Sequence, residues 1–302
     1  MYFCPMQAIS QKLELHDTIA VTLRREDLLF PEISGNKWRK LKYNIQHILQ
    51  EGYEGVLTFG GAHSNHIAAT AYAAKASGFK AIGVIRGDEL QQTTSWSPTL
   101  QSAQQWGMTF KFLSRTSFRD LKSDERYWRD RYPNYFILPE GGTSALAVKG
   151  CAEMLMPEDQ IFTHVVCAVG TGGTLAGLSE GAFSHQKILG FPALIGDFLR
   201  EDIRNFAKKG NWELIQGYTF GGYAKTSPEL IRFINQFYQN HQVPLDPIYT
   251  GKMMYGLVDL LANDFFPKSA NILAIHTGGL QGIPAMNERL KKKNQVTLQI
   301  HV

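Results

Sequence analysis

The stretch of sequence that decides the fold is THVVCAVGTGGTLAGLSE, residues 163–180. Residues 163–169 form an apolar run of the length that is typical of a buried strand in a parallel sheet. The glycine-rich turn GTGGT follows at residues 170–174, and residues 175–180 have helical character. A strand, a glycine loop and a helix N-terminus in this order favour an anion site, because backbone N–H groups and the helix dipole point at the ligand.

The glycine turn does not match two common nucleotide-binding motifs. Leu175 occupies the third glycine position of G-x-G-x-x-G, and no Gly-Lys-Ser/Thr follows as it does in a Walker loop. The hydroxyl groups of Thr171 and Thr174 add donors, so a monophosphate fits the turn better than a nucleotide di- or triphosphate. The alternative interpretation is a tight turn between a strand and a helix that binds nothing.

Short apolar runs alternate with amphipathic stretches along the rest of the chain. Further strands are predicted at residues 18–23, 55–59, 81–85, 109–113, 135–138 and 272–276. Helices are predicted at residues 37–49, 65–76, 118–132 and 228–240, among others. This alternation predicts an α/β fold with parallel sheets flanked by helices. Ligands bind such sheets at the carboxyl ends of the strands, so the chemistry is expected there.

A lysine heads the apolar face of the first predicted helix. Apolar residues follow Lys37 at positions 41, 45 and 48, spacings that place all four on one helix face. Burial lowers the pKa of a lysine, and its amine can then form a Schiff base with a carbonyl cofactor. The alternative is a lysine that extends from the helix start into solvent. Lys40 and Lys42 fall off this face and are predicted to be surface residues, while Ser34 and its neighbours suit a helix start.

A second glycine turn, GGAHSNH at residues 60–66, carries polar side chains to the start of a helix. Ser64 and Asn65 open this helix, and their oxygens and the free N–H groups there favour docking of a carboxylate. The alternative is N-capping alone. No carboxylate or cysteine stands near the two histidines of the turn, so zinc is not expected. Ala62 holds the first glycine position of a G-x-S-x-G elbow, which disfavours a serine hydrolase.

Length and composition narrow the class of protein. The chain has 302 residues, enough for two packed lobes, with 44% apolar and 19% charged residues, as in globular proteins. A net charge of +4 is too small to imply a nucleic-acid partner. No apolar run approaches the roughly 20 residues of a membrane helix, and no signal peptide is evident, so a cytoplasmic location is expected. Three scattered cysteines disfavour a disulfide scaffold, a zinc ribbon and a thioredoxin motif.

A buried lysine, a monophosphate loop and a carboxylate dock together favour a pyridoxal-phosphate enzyme that acts on an amino acid. The sequence resembles the 1-aminocyclopropane-1-carboxylate deaminase and D-cysteine desulfhydrase family, which has the fold type II, tryptophan-synthase-β-like architecture. The motifs that carry the resemblance are SGNKWRKL at 34–41, GGAHSN at 60–65, GTGGT at 170–174 and DPIYTGK at 246–252. Matching positions run in order from residue 24 to residue 279, which is most of the chain.

The resemblance implies pyridoxal 5′-phosphate as the cofactor and a role for each matching residue. Lys37 matches the Schiff-base lysine and base, Ser64 lies at the substrate carboxylate and the reacting carbon, and Tyr249 and Tyr223 are active-site tyrosines. The implied ligands of the substrate carboxylate are Ser64, Asn65 and His66. The implied cofactor-binding residues are Lys37, Asn65, Gly170, Thr171, Gly172, Gly173, Thr174, Tyr249, Thr250 and Thr277.

Two of these positions vary with activity in the family. Its deaminase members resemble each other in carrying glutamate at the Thr250 position, which strengthens the electron sink, and leucine at the Thr277 position. Opening a cyclopropane removes no α-proton and needs the stronger sink, whereas elimination of thiolate from cysteine is easier. The two threonines therefore favour α,β-elimination from D-cysteine, or a similar D-amino acid, to pyruvate, ammonia and sulfide. The alternatives are a 1-aminocyclopropane-1-carboxylate deaminase that forms 2-oxobutanoate and ammonia, and a non-catalytic protein that binds pyridoxal phosphate.

The resemblance also implies a two-domain architecture. Residues 1–50 and 155–302 are expected to form the larger, cofactor-binding domain. Residues 51–154 are expected to form a smaller inserted domain that carries the Ser64 loop and closes over the substrate. Family members are usually homodimers, so a homodimer is expected, with a small amino acid as substrate. Nucleic acid, a membrane and a metal ion are not expected as partners.

Overall fold

The chain forms two separate β-sheets in a computed structural model that describes residues 7–30, 33, 35–93, 96–196 and 198–300. In chain order the strands are β1 Ile9–Leu13, β2 Ala20–Arg25, β3 Gly55–Gly61, β4 Lys80–Arg86, β5 Met108–Leu113, β6 Tyr135–Leu138, β7 His164–Val169, β8 Lys187–Pro192, β9 Trp212–Leu214 and β10 Asn271–Ile275. The α-helices are α1 Asn36–Gln50, α2 Asn65–Ser77, α3 Pro98–Gln105, α4 Arg115–Leu121, α5 Glu125–Arg131, α6 Ala145–Ala152, α7 Gly173–Gly181, α8 Phe198–Phe206, α9 Pro228–His241, α10 Thr250–Ala262 and α11 Ile283–Lys292.

The larger sheet has the strand order β1-β2-β10-β7-β8-β9. All neighbouring strands are parallel except the edge strand β1, which is antiparallel to β2. Every residue of β7 is buried, and one apolar cluster covers each face of the sheet. A parallel strand that is covered on both faces needs an unbroken apolar sequence, which explains the run at residues 164–169.

The smaller sheet has the order β5-β4-β3-β6, and all of its strands are parallel. Helices α2 and α3 cover one face with an alanine-rich cluster, which the apolar side of α1 joins through Trp38, Leu41 and Ile45. On the other face Phe59 packs against Phe118 of α4 and Trp128 of α5. The protein is thus an α/β fold with parallel sheets flanked by helices, as predicted, while the proposed domain boundaries stay a prediction.

The predicted elements agree with the structure except at a few places. Each predicted strand lies within two residues of an observed one. β1, β8 and β9 were not predicted, because β1 is largely exposed and the glycine and proline of β8 disfavour a strand. The single helix predicted at 118–132 is wrong. It consists of α4 and α5, because the side chain of Asp124 accepts a hydrogen bond from the backbone N–H of Tyr127 at 3.0 Å and starts a new helix.

No helix in the described ranges is both long enough and apolar enough to cross a membrane.

Candidate active site

The start of α1 is anchored to two segments of the larger sheet. Gly35 has a φ of 69°, and a Cβ there would lie 2.0 Å from the backbone oxygen of Thr277, so this close approach requires glycine. The backbone N–H of Asn36 donates to the same Thr277 oxygen at 3.3 Å. Its side-chain amide donates to Thr174 Oγ1 at 2.8 Å, which joins the helix start to the glycine loop. Ser34, which was predicted to take part in this helix start, lies outside the described residues.

Lys37 lies half-buried at this junction. Its Nζ donates to the side-chain oxygen of Asn36 at 3.3 Å. Burial, followed by the positive charge of Lys40, lowers the pKa of Lys37 from 10.5 to about 7. A large fraction of the amine is therefore unprotonated near neutral pH and is available as a nucleophile or a base. This agrees with the prediction from its place on the apolar helix face.

The prediction that Lys40 is a surface residue is wrong. The residue is 2% exposed, and its Nζ donates to Gly141 O at 3.0 Å, Thr143 Oγ1 at 3.1 Å and Thr171 Oγ1 at 3.2 Å. The cause is tertiary, because two distant loops fold over this side of α1. Sequence reasoning missed one local signal, the three-residue spacing from Lys37, which puts the two lysines on adjoining parts of a helix surface.

The glycine loop has the geometry of an anion site. Gly172 adopts a φ of 82°, which turns the chain from β7 into α7, and that helix begins at Gly173. The hydroxyl groups of Thr171 and Thr143 lie 2.7 Å apart, and the Lys40 amine bonds both of them. Two hydroxyls, an ammonium group and the N–H groups at a helix start therefore converge where a phosphate-sized anion binds well.

His66 is buried behind the loop that precedes α2. Its Nε2 lies 2.8 Å from Thr58 Oγ1, and that hydroxyl donates its only proton to Leu138 O at 2.9 Å. Nε2 must therefore carry the ring proton, and Nδ1 is an acceptor. Nδ1 is buried and has no hydrogen-bond partner among the described residues. Burial, and then the charges of Lys37 and Lys40, lower the pKa of His66 well below its usual value, so the ring is neutral.

The carboxylate dock was predicted at the start of α2. Ser64 is the N-cap, and its Oγ accepts a hydrogen bond from the backbone N–H of Ile67 at 3.4 Å. N-capping is thus confirmed, and the Ser64 hydroxyl keeps its proton for a further hydrogen bond. The backbone N–H groups of Asn65 and His66 lie in the first turn, at the positive end of the helix dipole. His66 can offer a carboxylate its backbone N–H, since its ring is buried.

A buried carboxylate organises the turn before α10. Asp246 is 1% exposed, and its Oδ2 accepts hydrogen bonds from the backbone N–H groups of Ile248 at 2.8 Å and Tyr249 at 3.0 Å. Its Oδ1 accepts from both the backbone N–H and the hydroxyl of Thr250, each at 2.8 Å. The hydroxyl of Thr250 therefore commits its only proton to Asp246 and is neutral and buried.

Asn65 meets the larger sheet at Gly279. A Cβ on Gly279 would lie 3.4 Å from Asn65 Nδ2 and 3.3 Å from Asp246 Oδ1, so both side chains flank this glycine. The negative charge of Asp246 also opposes the lowering of the pKa of Lys37, so the carboxylate is near that amine. Lys37, Asn65 and Asp246 therefore surround one space, with the largely buried Thr277 at its edge.

Two tyrosines lie on the opposite side of the glycine loop. The ring of Tyr249 packs on Gly170, where a Cβ would lie 3.2 Å from Tyr249 Cε1. The ring centre of Tyr223 is 6.2 Å from that of Tyr249. Tyr223 is 43% exposed, so it lies at the open side of the site. Burial raises the pKa of both phenols, and a hydrogen bond between the two hydroxyls raises the pKa of Tyr249 further.

Lys252 fixes the loop that carries Tyr223. The residue is 1% exposed, and its Nζ donates to the backbone oxygens of Thr219 at 2.7 Å and Gly222 at 2.8 Å. Burial lowers the pKa of Lys252 to about 8, and the charge of Asp246 opposes this change. The motif at 246–252 contains this lysine, but nothing in the local sequence indicates that it holds a loop 30 residues away.

The residues present fit a cofactor that carries a phosphate and a carbonyl group. Lys37 and Lys40 donate hydrogen bonds to neutral oxygen atoms, so these contacts leave their charges uncompensated. The unpaired Nδ1 of His66 marks a polar space beside them. A phosphate in the glycine loop supplies the missing negative charge, and the amine of Lys37 suits a carbonyl. In the described part of the chain, no three His, Cys, Asp or Glu side chains are grouped to hold a metal ion.

Three comparisons bear on this site. A profile of a family described as pyridoxal-phosphate dependent enzyme matches residues 4–278. The chain is 32% identical to a Pyrococcus horikoshii protein provisionally named a 1-aminocyclopropane-1-carboxylate deaminase, over 87% of this chain and 85% of that protein. It is 28% identical to the mitochondrial bifunctional D-cysteine desulfhydrase/1-aminocyclopropane-1-carboxylate deaminase of Arabidopsis thaliana, over 86% of this chain and 72% of that protein. The crystal structure of an ACC deaminase homologue matches with a TM-score of 0.82 and 29% identity, over 95% of this chain and 94% of that chain.

Proposed function

Because this chain belongs to the family of pyridoxal-phosphate dependent enzymes, we propose that it is a lyase that eliminates a β-substituent from a small amino acid, with D-cysteine as the first candidate substrate. Its cofactor is pyridoxal 5′-phosphate. When bound, the cofactor supplies an electron sink for negative charge that develops at the substrate Cα. The observation that carries the proposal is the Lys37 amine, which has a pKa of about 7 and donates to Asn36, whose side-chain amide in turn donates to Thr174 of the glycine loop.

The cofactor phosphate is assigned to the glycine loop. Residues 170–174, the backbone N–H groups at the start of α7 and the hydroxyl of Thr143 surround this position. Lys40 supplies the positive charge and holds the two hydroxyls in place. Asn65 and Tyr249, on opposite sides of the space, are the residues proposed to hold the cofactor ring, and Thr250 and Thr277 line its edge.

Lys37 is proposed as the base of the reaction. Its unprotonated amine accepts the proton from the substrate Cα, and the thiolate leaves from Cβ with the bonding electron pair. Ser64 and the N–H groups at the start of α2 hold the substrate carboxylate and so fix Cα before Lys37. Tyr223 and Tyr249, both protonated at neutral pH, are proposed to donate a proton. The released enamine hydrolyses to pyruvate and ammonia.

The neutral Thr250 supports elimination from D-cysteine. Residue 250 supplies a neutral hydroxyl, which donates its proton to Asp246, and not a carboxylate of its own. Without a carboxylate at position 250 the electron sink is weaker, which suits removal of a good leaving group such as thiolate. The name of the Arabidopsis relative includes this activity.

The experiment is to load the purified protein with pyridoxal phosphate, add D-cysteine or L-cysteine, and measure pyruvate and sulfide release. We expect release from D-cysteine and its loss in Lys37→Ala. The cofactor absorption band should shift when the substrate is added. Pyruvate release by Lys37→Ala at the wild-type rate would contradict the proposal.

A second candidate is 1-aminocyclopropane-1-carboxylate deamination, which the names of both relatives favour. It predicts 2-oxobutanoate and ammonia from the cyclopropane substrate. The variant Thr250→Glu with Thr277→Leu should move the ratio of the two activities toward the cyclopropane. An unchanged ratio in a folded double variant would refute the argument from the electron sink.

A homodimer and a cytoplasmic location remain part of this proposal, and the small amino acid is the proposed partner. Sedimentation velocity of the protein loaded with cofactor measures the oligomeric state directly. A monomer at micromolar concentration would contradict the expected dimer.

A further inference from the structure

A cavity of about 620 Å³ opens at the carboxyl edge of the smaller sheet. Gly61 and Ala62, which lead into the loop of Ser64, form part of its wall. The backbone N–H of Ser64 donates to Gly61 O at 3.0 Å, so the cavity directly adjoins the proposed carboxylate dock. Its other walls bring together one carboxylate and four cationic side chains, Glu89, Arg86, Arg115, Arg119 and Lys122.

Three of these cations are compensated by carboxylates. Arg119 forms an ion pair with Asp120 at 3.2 Å. Arg115 forms an ion pair with Glu89 at 2.7 Å. Lys122 forms an ion pair with Glu140 at 2.7 Å. All three pairs are partly or largely exposed, so they contribute little to stability.

Arg86 is different, because its guanidinium forms no ion pair or hydrogen bond with any residue in the described ranges. Its guanidinium lies 5.8 Å from the ring centre of Phe118. It also lies against Gly61, its partner in the β3–β4 ladder, where a Cβ would be 3.5 Å from Arg86 Nη2. An arginine held beside the substrate loop without a carboxylate has its donors free for an anion.

Arg86 also lies near the proposed active site. Its positive charge opposes the rise in the pKa of Tyr223, so the guanidinium and the phenol are close enough to interact. Tyr223 lies on the open side of the site. The cavity therefore adjoins the open side of the proposed site.

We propose that this cavity, with Arg86 as its anchor, binds an anionic group on the side chain of the amino-acid substrate. The inference rests on the proposed function and narrows it. Among β-substituted amino acids, the enzyme prefers those whose substituent carries a carboxylate, sulfate or phosphate. A neutral cysteine side chain leaves Arg86 without a partner and is expected to be the poorer substrate.

The experiment compares two leaving groups that differ in charge. The loaded enzyme receives O-sulfoserine or O-acetylserine, each as both enantiomers, and pyruvate release gives kcat/KM for each. In both cases the Cα proton passes to Lys37, and the bonding pair of the Cβ–O bond leaves with sulfate or acetate. The variant is Arg86→Gln, and the matched control is Arg129→Gln. Arg129 is an exposed arginine on α5 that is paired with Glu125 and does not line the cavity.

The decisive quantity is the ratio of kcat/KM for the anionic substrate to that for the neutral one. Comparing this ratio between proteins cancels the intrinsic reactivity of the leaving groups. We expect Arg86→Gln to lower this ratio about tenfold or more, as for loss of a charge-assisted hydrogen bond. Arg129→Gln should leave the ratio unchanged. Aspartate should likewise inhibit the wild type more strongly than asparagine, and Arg86→Gln should remove this difference.

The outcomes separate the two proposals. If D-cysteine or O-acetylserine releases pyruvate but Arg86→Gln keeps the wild-type ratio, the cavity proposal is overturned and the proposed function stands. If none of these amino acids releases pyruvate or shifts the cofactor band, the proposed function fails and the cavity proposal fails with it. A fall in the ratio with both variants alike would indicate a general surface-charge effect and would also overturn the assignment to Arg86.

Discussion

The ammonium group of Lys40 donates a hydrogen bond to the hydroxyl of Thr171 over 3.2 Å and so joins the first turn of α1 to the glycine loop. The same ammonium group donates to Gly141 O and Thr143 Oγ1, so one cation on α1 holds two loops that are far apart in sequence. This cation is held in place by the protein itself and does not depend on a ligand for its position.

Replacement of Lys40 tests whether this cation binds the cofactor phosphate. Lys40→Met keeps the length of the side chain and removes its charge, so we expect about 10- to 100-fold weaker binding of pyridoxal phosphate, as for loss of a charged hydrogen bond. Binding of pyridoxal, which has no phosphate, should change little. The affinities are measured by absorbance titration. Lys42→Met is the control, because Lys42 pairs with the half-exposed Glu153 instead. An equal loss of affinity for pyridoxal phosphate and for pyridoxal would contradict the assignment of Lys40 to the phosphate.

The lowered pKa of Lys37 predicts a characteristic pH dependence. In the apoprotein the amine titrates at about 7, whereas an unfolded lysine titrates near 10.4. Between these values the unfolded chain binds the extra proton, so this group makes the folded apoprotein more stable as the pH rises from about 7 to about 10. Chemical denaturation across this range should therefore give a smaller pH slope for Lys37→Met than for the wild type.

The same amine can be followed by its reactivity. Reductive alkylation of Lys37 by a small aldehyde should become fast around pH 7, well below the pH at which exposed lysines react. Peptide mass spectrometry at several pH values measures this directly. A midpoint for Lys37 near that of the exposed Lys111 would show that burial does not lower its pKa.

Lys252→Met should destabilise the loop that carries Tyr223 and leave the glycine loop unchanged. The variant keeps an apolar stem of similar size but leaves the carbonyls of Thr219 and Gly222 without their donor, at a cost of about 1–3 kcal/mol. We expect a lower melting temperature and a raised KM for the amino acid, with unchanged affinity for pyridoxal phosphate. Lys252→Arg serves as the conservative comparison. If KM is unaffected while stability falls, Lys252 acts on folding alone.

The hydroxyl of Thr250 is predicted to matter through Asp246. Thr250→Val removes the donor to Asp246 Oδ1 and the acceptor of the Asp246 N–H, both of which are buried. We expect a loss of about 1–3 kcal/mol in the free energy of unfolding, and Thr250→Ser should recover most of it because it restores the hydroxyl. Urea unfolding of the three proteins measures this. Equal stability of the valine and serine variants would show that loss of the hydroxyl costs no more than loss of the methyl group and would contradict this role.

Much of the fold was predictable because its signals are local. The run at β7 and the glycines after it lie within one short stretch, and the face headed by Lys37 repeats within a single helix. Lys40 was not predictable from such patterns. Its partners Gly141, Thr143 and Thr171 lie 101, 103 and 131 residues away, and helical periodicity alone assigns it to the surface. The strands β8 and β9 were missed for a related reason, since pairing with neighbouring strands forms them against weak local propensity.

The pairing of β2 with β10 has a consequence for the order in which the chain acquires its structure. Ala20 stands opposite Asn271, so the larger sheet closes only after nearly the whole polypeptide has left the ribosome. The four strands of the smaller sheet, by contrast, come from one continuous stretch between Gly55 and Leu138 and can pair earlier during synthesis. The pocket around Lys37 needs Thr277 and Gly279, which follow β10. A nascent or truncated chain therefore lacks both the burial that lowers the pKa of Lys37 and a finished place for the cofactor, and maturation of the enzyme waits for its last strand.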